Sequence, residues 1–161
     1  RNADEMNISY KDIHDDIRTI ATSHEQIRKF ITGPVSEMDI GKLDAADYPF
    51  CYAELTNVSI DRGAMTFDVD IVVAQLIRDD YTDRVDAYDS TLLALKDICV
   101  AILLRQSGTS VTSLLNNRID LQLPLDCVPF TARFENDLTG WQSTISITAD
   151  SDNDLCEAPY A

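Results

Sequence analysis

Between Val128 and Thr148 the chain reads VPFTARFENDLTGWQSTISIT, two runs of alternating apolar and polar residues joined by a short polar stretch. Alternation puts successive side chains on opposite faces of a strand, so the two runs predict a half-buried antiparallel hairpin. In the first run Val128, Phe130, Ala132 and Phe134 share one face, opposite Thr131, Arg133 and Glu135. In the second, Trp141, Ile145 and Ile147 oppose Gln142, Thr144, Ser146 and Thr148. Asn136, Asp137 and Gly140 supply residues that tolerate a turn. Aromatic side chains contribute the largest single areas to a core, so Phe130, Phe134, Trp141, Ile145 and Ile147 are expected to form a core hairpin onto which the other elements pack.

Upstream, residues 1–8 read as a polar tail. From Ser9, an N-cap type, Tyr10, Ile13, Ile17, Ile20, Ile27 and Ile31 recur at helical intervals, which predicts one amphipathic helix running to Gly33 and Pro34. His24 falls on its apolar stripe as a packing residue, and His14 falls off the stripe, in solvent. An acidic loop, 33–47, leads to a strand from Pro49 to Ile60, with Tyr52, Val58 and Ile60 on one face and Leu55 on the other. The turn Asp61-Arg62-Gly63 then enters the clearest strand: Met65, Phe67, Val69, Ile71 and Val73 alternate with Thr66, Asp68 and Asp70. Asp80 or Thr82 is placed to cap a second helix. Its stripe, Val85, Tyr88, Leu92, Leu95, Cys99 and Ile102, is widened by Leu93, Val100 and Leu103, the pattern of a mostly buried helix. A polar loop at 105–117, a short strand within 118–123 and the hairpin follow, and 149–161 reads as an extended tail. The order predicts a single α+β domain over 1–161, an antiparallel β-sheet with two main α-helices packed on one face.

Thirteen basic residues stand against 28 acidic ones, a net charge of -15, and no run of Lys or Arg offers a basic patch to nucleic acid or an anionic membrane. No apolar run approaches the ~20 residues of a membrane span, and the charged N-terminus is unlike a signal peptide. Cys51, Cys99, Cys127 and Cys156 form no C-x-x-C pair and read as reduced core thiols. Five scattered glycines cannot build a phosphate loop or a dinucleotide fingerprint, and the only bases available to a Ser or Cys nucleophile, His14 and His24, both fall on the first helix. Asp150, Asp152 and Asp154 imitate the first half of a calcium loop, but Leu155 occupies the glycine position and Ala161 the closing glutamate position. The residues therefore predict no catalytic, cofactor or metal site. Asp68 and Asp70, on one face of the clearest strand, are the residues placed to form a negative wall.

The segment FTARFENDLTGWQSTISI resembles the C-terminal hairpin of tail-terminator and neck (head-tail connector) proteins of tailed bacteriophages. Tyr48-Pro49-Phe50 at the start of a strand, the strand ending in Asp68-Val69-Asp70, the acidic entry Asp79-Asp80 to a long helix and the closing segment from Asp154 to Pro159 are similar too. The resemblance implies a structural virion protein without enzymatic activity. It would form a six-fold or twelve-fold ring between portal-side and tail-tube-side proteins, assembled in the host cytoplasm, with DNA passing through the middle unbound. Asp68 and Asp70 are then candidates to line the lumen, while the 33–47 and 105–117 loops and the tail are expected to contact neighbours. A small acidic interaction protein, an inhibitor or DNA mimic, is the alternative that the charge allows.

Overall fold

The computed structural model describes residues 7–32, 45–77, 82–107, 115, 117–133 and 137–150. Helix α1 (Tyr10–Ser23) is followed by strand β1 (Lys29–Thr32), a 3-10 turn (Ala45–Asp47), β2 (Phe50–Asp61) and β3 (Ala64–Leu76). Helix α2 (Arg84–Ser107) then precedes β4 (Ile119–Leu121), β5 (Cys127–Arg133) and β6 (Asp137–Asp150). The strands form one six-stranded sheet in the order β1-β2-β3-β6-β4, with β5 also paired to β6. Both helices pack on one face, where Ile13, Ile17 and Ala21 of α1 and Leu95, Ile98 and Ile102 of α2 share a core with Val69, Ile71, Val73, Ile145 and Ile147. The α+β class therefore holds, but the sheet is mixed, because β1 runs parallel to β2.

That extra strand is cut from the predicted first helix. Ser9 caps α1 with a reciprocal Ser9–Asp12 capping box, yet the helix stops at Ser23. Its last turns hold Thr19, Thr22 and Ser23, whose hydroxyls bond back to the carbonyls of Asp15, Arg18 and Thr19, and no basic side chain meets the carboxyl end. Ile27 reaches the core from the connection that follows, while Phe30, Ile31 and Thr32, all strand-favouring types, pair with β2. His14 is not solvated: its ring packs between Tyr10 and Phe30 and its Nε2 lies 2.7 Å from Thr32 Oγ1. His24 bonds Asp97 of α2 at 2.9 Å. Ile8, in the predicted polar tail, is buried, and Ala149 and Asp150 belong to β6 and not to an extended end.

β2 carries a bulge between Leu55 and Asn57. One extra residue reverses the alternation beyond it, so Leu55, Val58 and Ile60 share the helix-side face while Tyr52 points the other way, against the grouping expected from spacing. Gly140 is likewise no turn residue. It sits inside β6 between Ala74 and Phe130, where a Cβ would lie 1.9 Å from the Val73 carbonyl oxygen. Of the expected hairpin core, Ile145 and Ile147 are fully buried and Trp141 is half-buried, its Nε1–H donating to the Tyr88 carbonyl at 2.9 Å. The Phe130 backbone pairs with Gly140, its side chain lies outside the description, and Phe134 lies outside the described residues. Val128 is 61% exposed and faces away from the helices.

Helix α2 is buried on one side only. Val85, expected on the buried stripe, and Leu93 and Val100, expected to widen it, are exposed, because among the described residues the single sheet beneath and the short α1 beside it do not cover the far side of the helix. No described helix is long and apolar enough to cross a membrane. Across the helix pair, Asp16 and Arg105 form a nearly buried ion pair at 3.1 Å.

The close approach at Gly140 makes a specific demand on stability. Gly140→Ala must push β6 from β3, backbone against Cβ, and is expected to cost about 3 kcal/mol in a urea unfolding titration. Gly63→Ala meets no atom within 4 Å and pays only for its φ of +73°, about 1 kcal/mol.

Candidate functional site

The sheet face away from the helices has two halves. One is apolar: Tyr48, Phe50, Tyr52, Val72, Ala74 and Leu138 are buried together. The other is acidic, and the strand register shows how it forms. Glu54 and Asp61 of β2, Asp68 and Asp70 of β3, Asp150 of β6 and Asp120 of β4 all fall on this side. No strand residue described in that half is basic. Lys29, on the same face, stands at the apolar end beside Asp47, 3.8 Å away.

The predicted pair, Asp68 and Asp70, lies at the centre of this half. β6 pairs with β3 so that Ser146 stands opposite Asp68, Thr144 opposite Asp70 and Gln142 next in line. The alternation of β6 had grouped these polar residues on one face; the structure adds what they face. Ser146 Oγ donates to Asp68 at 2.6 Å, Thr144 Oγ1 to Asp70 at 2.5 Å and Gln142 Nε2 to Asp70 at 3.2 Å. The bulge in β2 brings Asn57 onto the same face, and its amide donates to Asp68 at 3.3 Å. Tyr52 closes the boundary with the apolar half by donating its hydroxyl to Glu54 at 2.6 Å.

The result is a set of carboxylates held by neutral donors. Because the hydroxyl protons of Ser146 and Thr144 are directed at Asp68 and Asp70, what remains exposed is mainly hydrogen-bond acceptor. Beside it lies an open recess of about 400 Å³ lined by Pro124, Asp126, Val128, Gln142 and Thr144. It forms where the edge beside β6 changes hands: the register slips by two residues across 122–126 between β4 and β5.

Among the described residues no group of three or more His, Cys, Asp or Glu is arranged to hold a metal ion. Cys51, Cys99 and Cys127 are free thiols, and Cys156 lies outside the described residues. Burial pushes Cys51 up to about 12, with Cys99 nearby adding to it; burial, then the neighbouring Cys127, does the same for Cys99. Such thiols stay neutral and make poor nucleophiles. The 33–47 and 105–117 loops fall largely outside the described residues, and their described parts are the 3-10 turn, the end of α2, Leu115 and Asn117.

The chain matches no protein-family model, and a search of curated proteins returns no significant match.

Two measurements follow from these groups. Thr144→Val should cost about 1 kcal/mol, and in a double-mutant cycle with Asp70→Asn most of that cost should disappear, since the bond is to a carboxylate at a partly exposed site. The thiols give a pH dependence with a definite sign. A folded-state value raised from 9.0 to about 12 means the folded chain binds more protons between those values. Their contribution is complete below pH 9 and is lost as pH rises toward 12. The urea midpoint should therefore fall above pH 9, and less steeply in a Cys51→Ala, Cys99→Ala variant.

Proposed function

We propose that the chain is a structural protein of a tailed bacteriophage virion, forming a ring at the head-tail neck or tail end, with the acidic half of its sheet turned toward the passing DNA. The observation that carries this reading is the composition of that face. Its carboxylates repel phosphates, and the Ser146 and Thr144 hydroxyls, which would otherwise be free to bond phosphate oxygens, are directed at Asp68 and Asp70. A duplex sliding past such a wall finds few donors to hold it. The likeness of residues 130–147 to the hairpin of tail-terminator and neck proteins supports the same reading.

Assembly into a ring requires surfaces that neighbours can cover. On α2, Leu93, Val100 and Leu104 lie seven and four residues apart, one stripe of the helix, and are 46%, 42% and 39% exposed. These exposed apolar side chains, with Lys96 and Asp97 in the turn between Leu93 and Val100, give a neighbouring subunit apolar surface to cover. A heterologous contact through this stripe, closing by rotation, generates a ring.

The acidic face also supports the other reading, a DNA mimic or inhibitor that offers fixed acceptors to a basic protein. The state of assembly separates the two. Multi-angle light scattering across concentration, with negative-stain imaging, should find closed rings of six or twelve subunits, and Leu93→Lys with Val100→Lys should return them to monomer. A strict monomer at every concentration, with tight capture of a nucleic-acid-binding protein by the acidic face, would overturn the ring.

A further inference from the structure

The β2–β3 hairpin offers a second surface, independent of the virion reading. β1 runs beside β2 only from Phe50 to Ala53. At Leu55 the strand lies beside α1, whose Tyr10 packs on the same core as Leu55. At the bulge, the Thr56 hydroxyl turns inward to the Asp68 carbonyl at 3.1 Å. Beyond it β2 is regular again: Asn57 to Asp61 pair with Asp68 to Ala64 on one side. On the other side, among the described residues, nothing pairs with them, and every residue from 56 to 61 is exposed.

Strand edges are normally blunted by Lys, Pro, a bulge or a covering segment. The stretch Asn57-Val58-Ser59-Ile60-Asp61 contains neither Lys nor Pro, and the bulge precedes it. Its two faces differ sharply. On the helix side, past the cover of the helices, stand Val58 and Ile60, 37% and 78% exposed. On the other stand Asn57, Ser59 and Asp61, with Asp68 behind them in β3.

We propose that this edge is a docking site for an extended segment of another protein, which adds a strand to the sheet with apolar side chains over Val58 and Ile60 alternating with basic side chains over the acidic face. Main-chain hydrogen bonds to residues 57–61 supply the attachment, and the alternation supplies the selectivity. Charge complementarity sets the class of occupant. A second copy, itself carrying a net charge of -15, would bring acid against acid. The other sheet edges of such a copy are also poor strands to add: β1 is four residues long, and the far edge is stepped across 122–126, where Pro129 of β5 has no N–H to donate.

The test uses the whole chain and a short fluorescein-labelled peptide in which lysine alternates with valine and threonine, alongside a peptide of the same composition with its lysines grouped at one end. By fluorescence anisotropy the alternating peptide should bind saturably, and the block peptide at least about tenfold more weakly. Val58→Lys with Ile60→Lys, both at exposed positions, should weaken binding about tenfold or more, whereas Val85→Lys with Leu123→Lys, exposed and on other segments, should leave it unchanged. Hydrogen exchange on the unsubstituted chain provides a readout that needs no variant: the alternating peptide should slow exchange within 57–61. No saturable binding, equal affinity for the two peptides, binding that survives the Val58 and Ile60 substitutions, or unchanged exchange at 57–61 would each overturn the proposal.

Discussion

The pairing of β3 with β6, from Ala64 opposite Asp150 to Leu76 opposite Leu138, sets everything else in this protein. It joins two long strands whose alternation agrees: Val69 beside Ile145 and Phe67 beside Ile147 on one face, Asp68 beside Ser146 and Asp70 beside Thr144 on the other. A slip of one residue would send the isoleucines to the outer face and the carboxylates under the helices, so burial fixes the register. The same register that builds the core therefore builds the acidic wall. Gly140 is the local condition on that pairing, because any side chain there would strike the Val73 carbonyl.

The helices are attached to this pair by a few polar ties as well as by apolar contact. Trp141 donates to Tyr88 of α2, the Leu121 N–H of β4 donates to Gln106, and Asp16 meets Arg105 where α1 crosses α2. An ion pair that far from water is held chiefly against the cost of leaving either partner alone. With α2 pinned on its inner side, its apolar content is more than one sheet can cover. The excess appears outside as Leu93, Val100 and Leu104, the surface through which the proposed ring would assemble.

How much of this was legible in the sequence depends on the range of the interaction. β3, the turn at Gly63 and the extent of α2 could be read directly, because alternation, a turn glycine and helical spacing are local signals. β1 was hidden because Ile27 and Ile31 are four apart, a spacing that a helix and a loop followed by a strand satisfy equally. The bulge at Thr56 left no compositional mark, so Tyr52 and Val58 were grouped wrongly. Asp68 and Asp70 were identifiable as neighbours on one face. Their donors Ser146 and Thr144 lie 78 and 74 residues away, and only strand order brings them together. Gly140 looked like a turn residue because its true constraint, a carbonyl on another strand, is invisible in one dimension.

In the proposed ring, a wall of fixed carboxylates has meaning for DNA passage only if it faces the hole. The most direct measurement is a cryo-electron-microscopy map of the assembled particle, with this chain fitted and the positions of the Asp68 and Asp70 carboxylates taken relative to the symmetry axis. Passage of DNA through a repelling lumen predicts that both point at the axis, with Ser146 and Thr144 behind them and α2 turned toward neighbouring subunits. Both carboxylates on the outer rim, with the helices lining the hole, would contradict it.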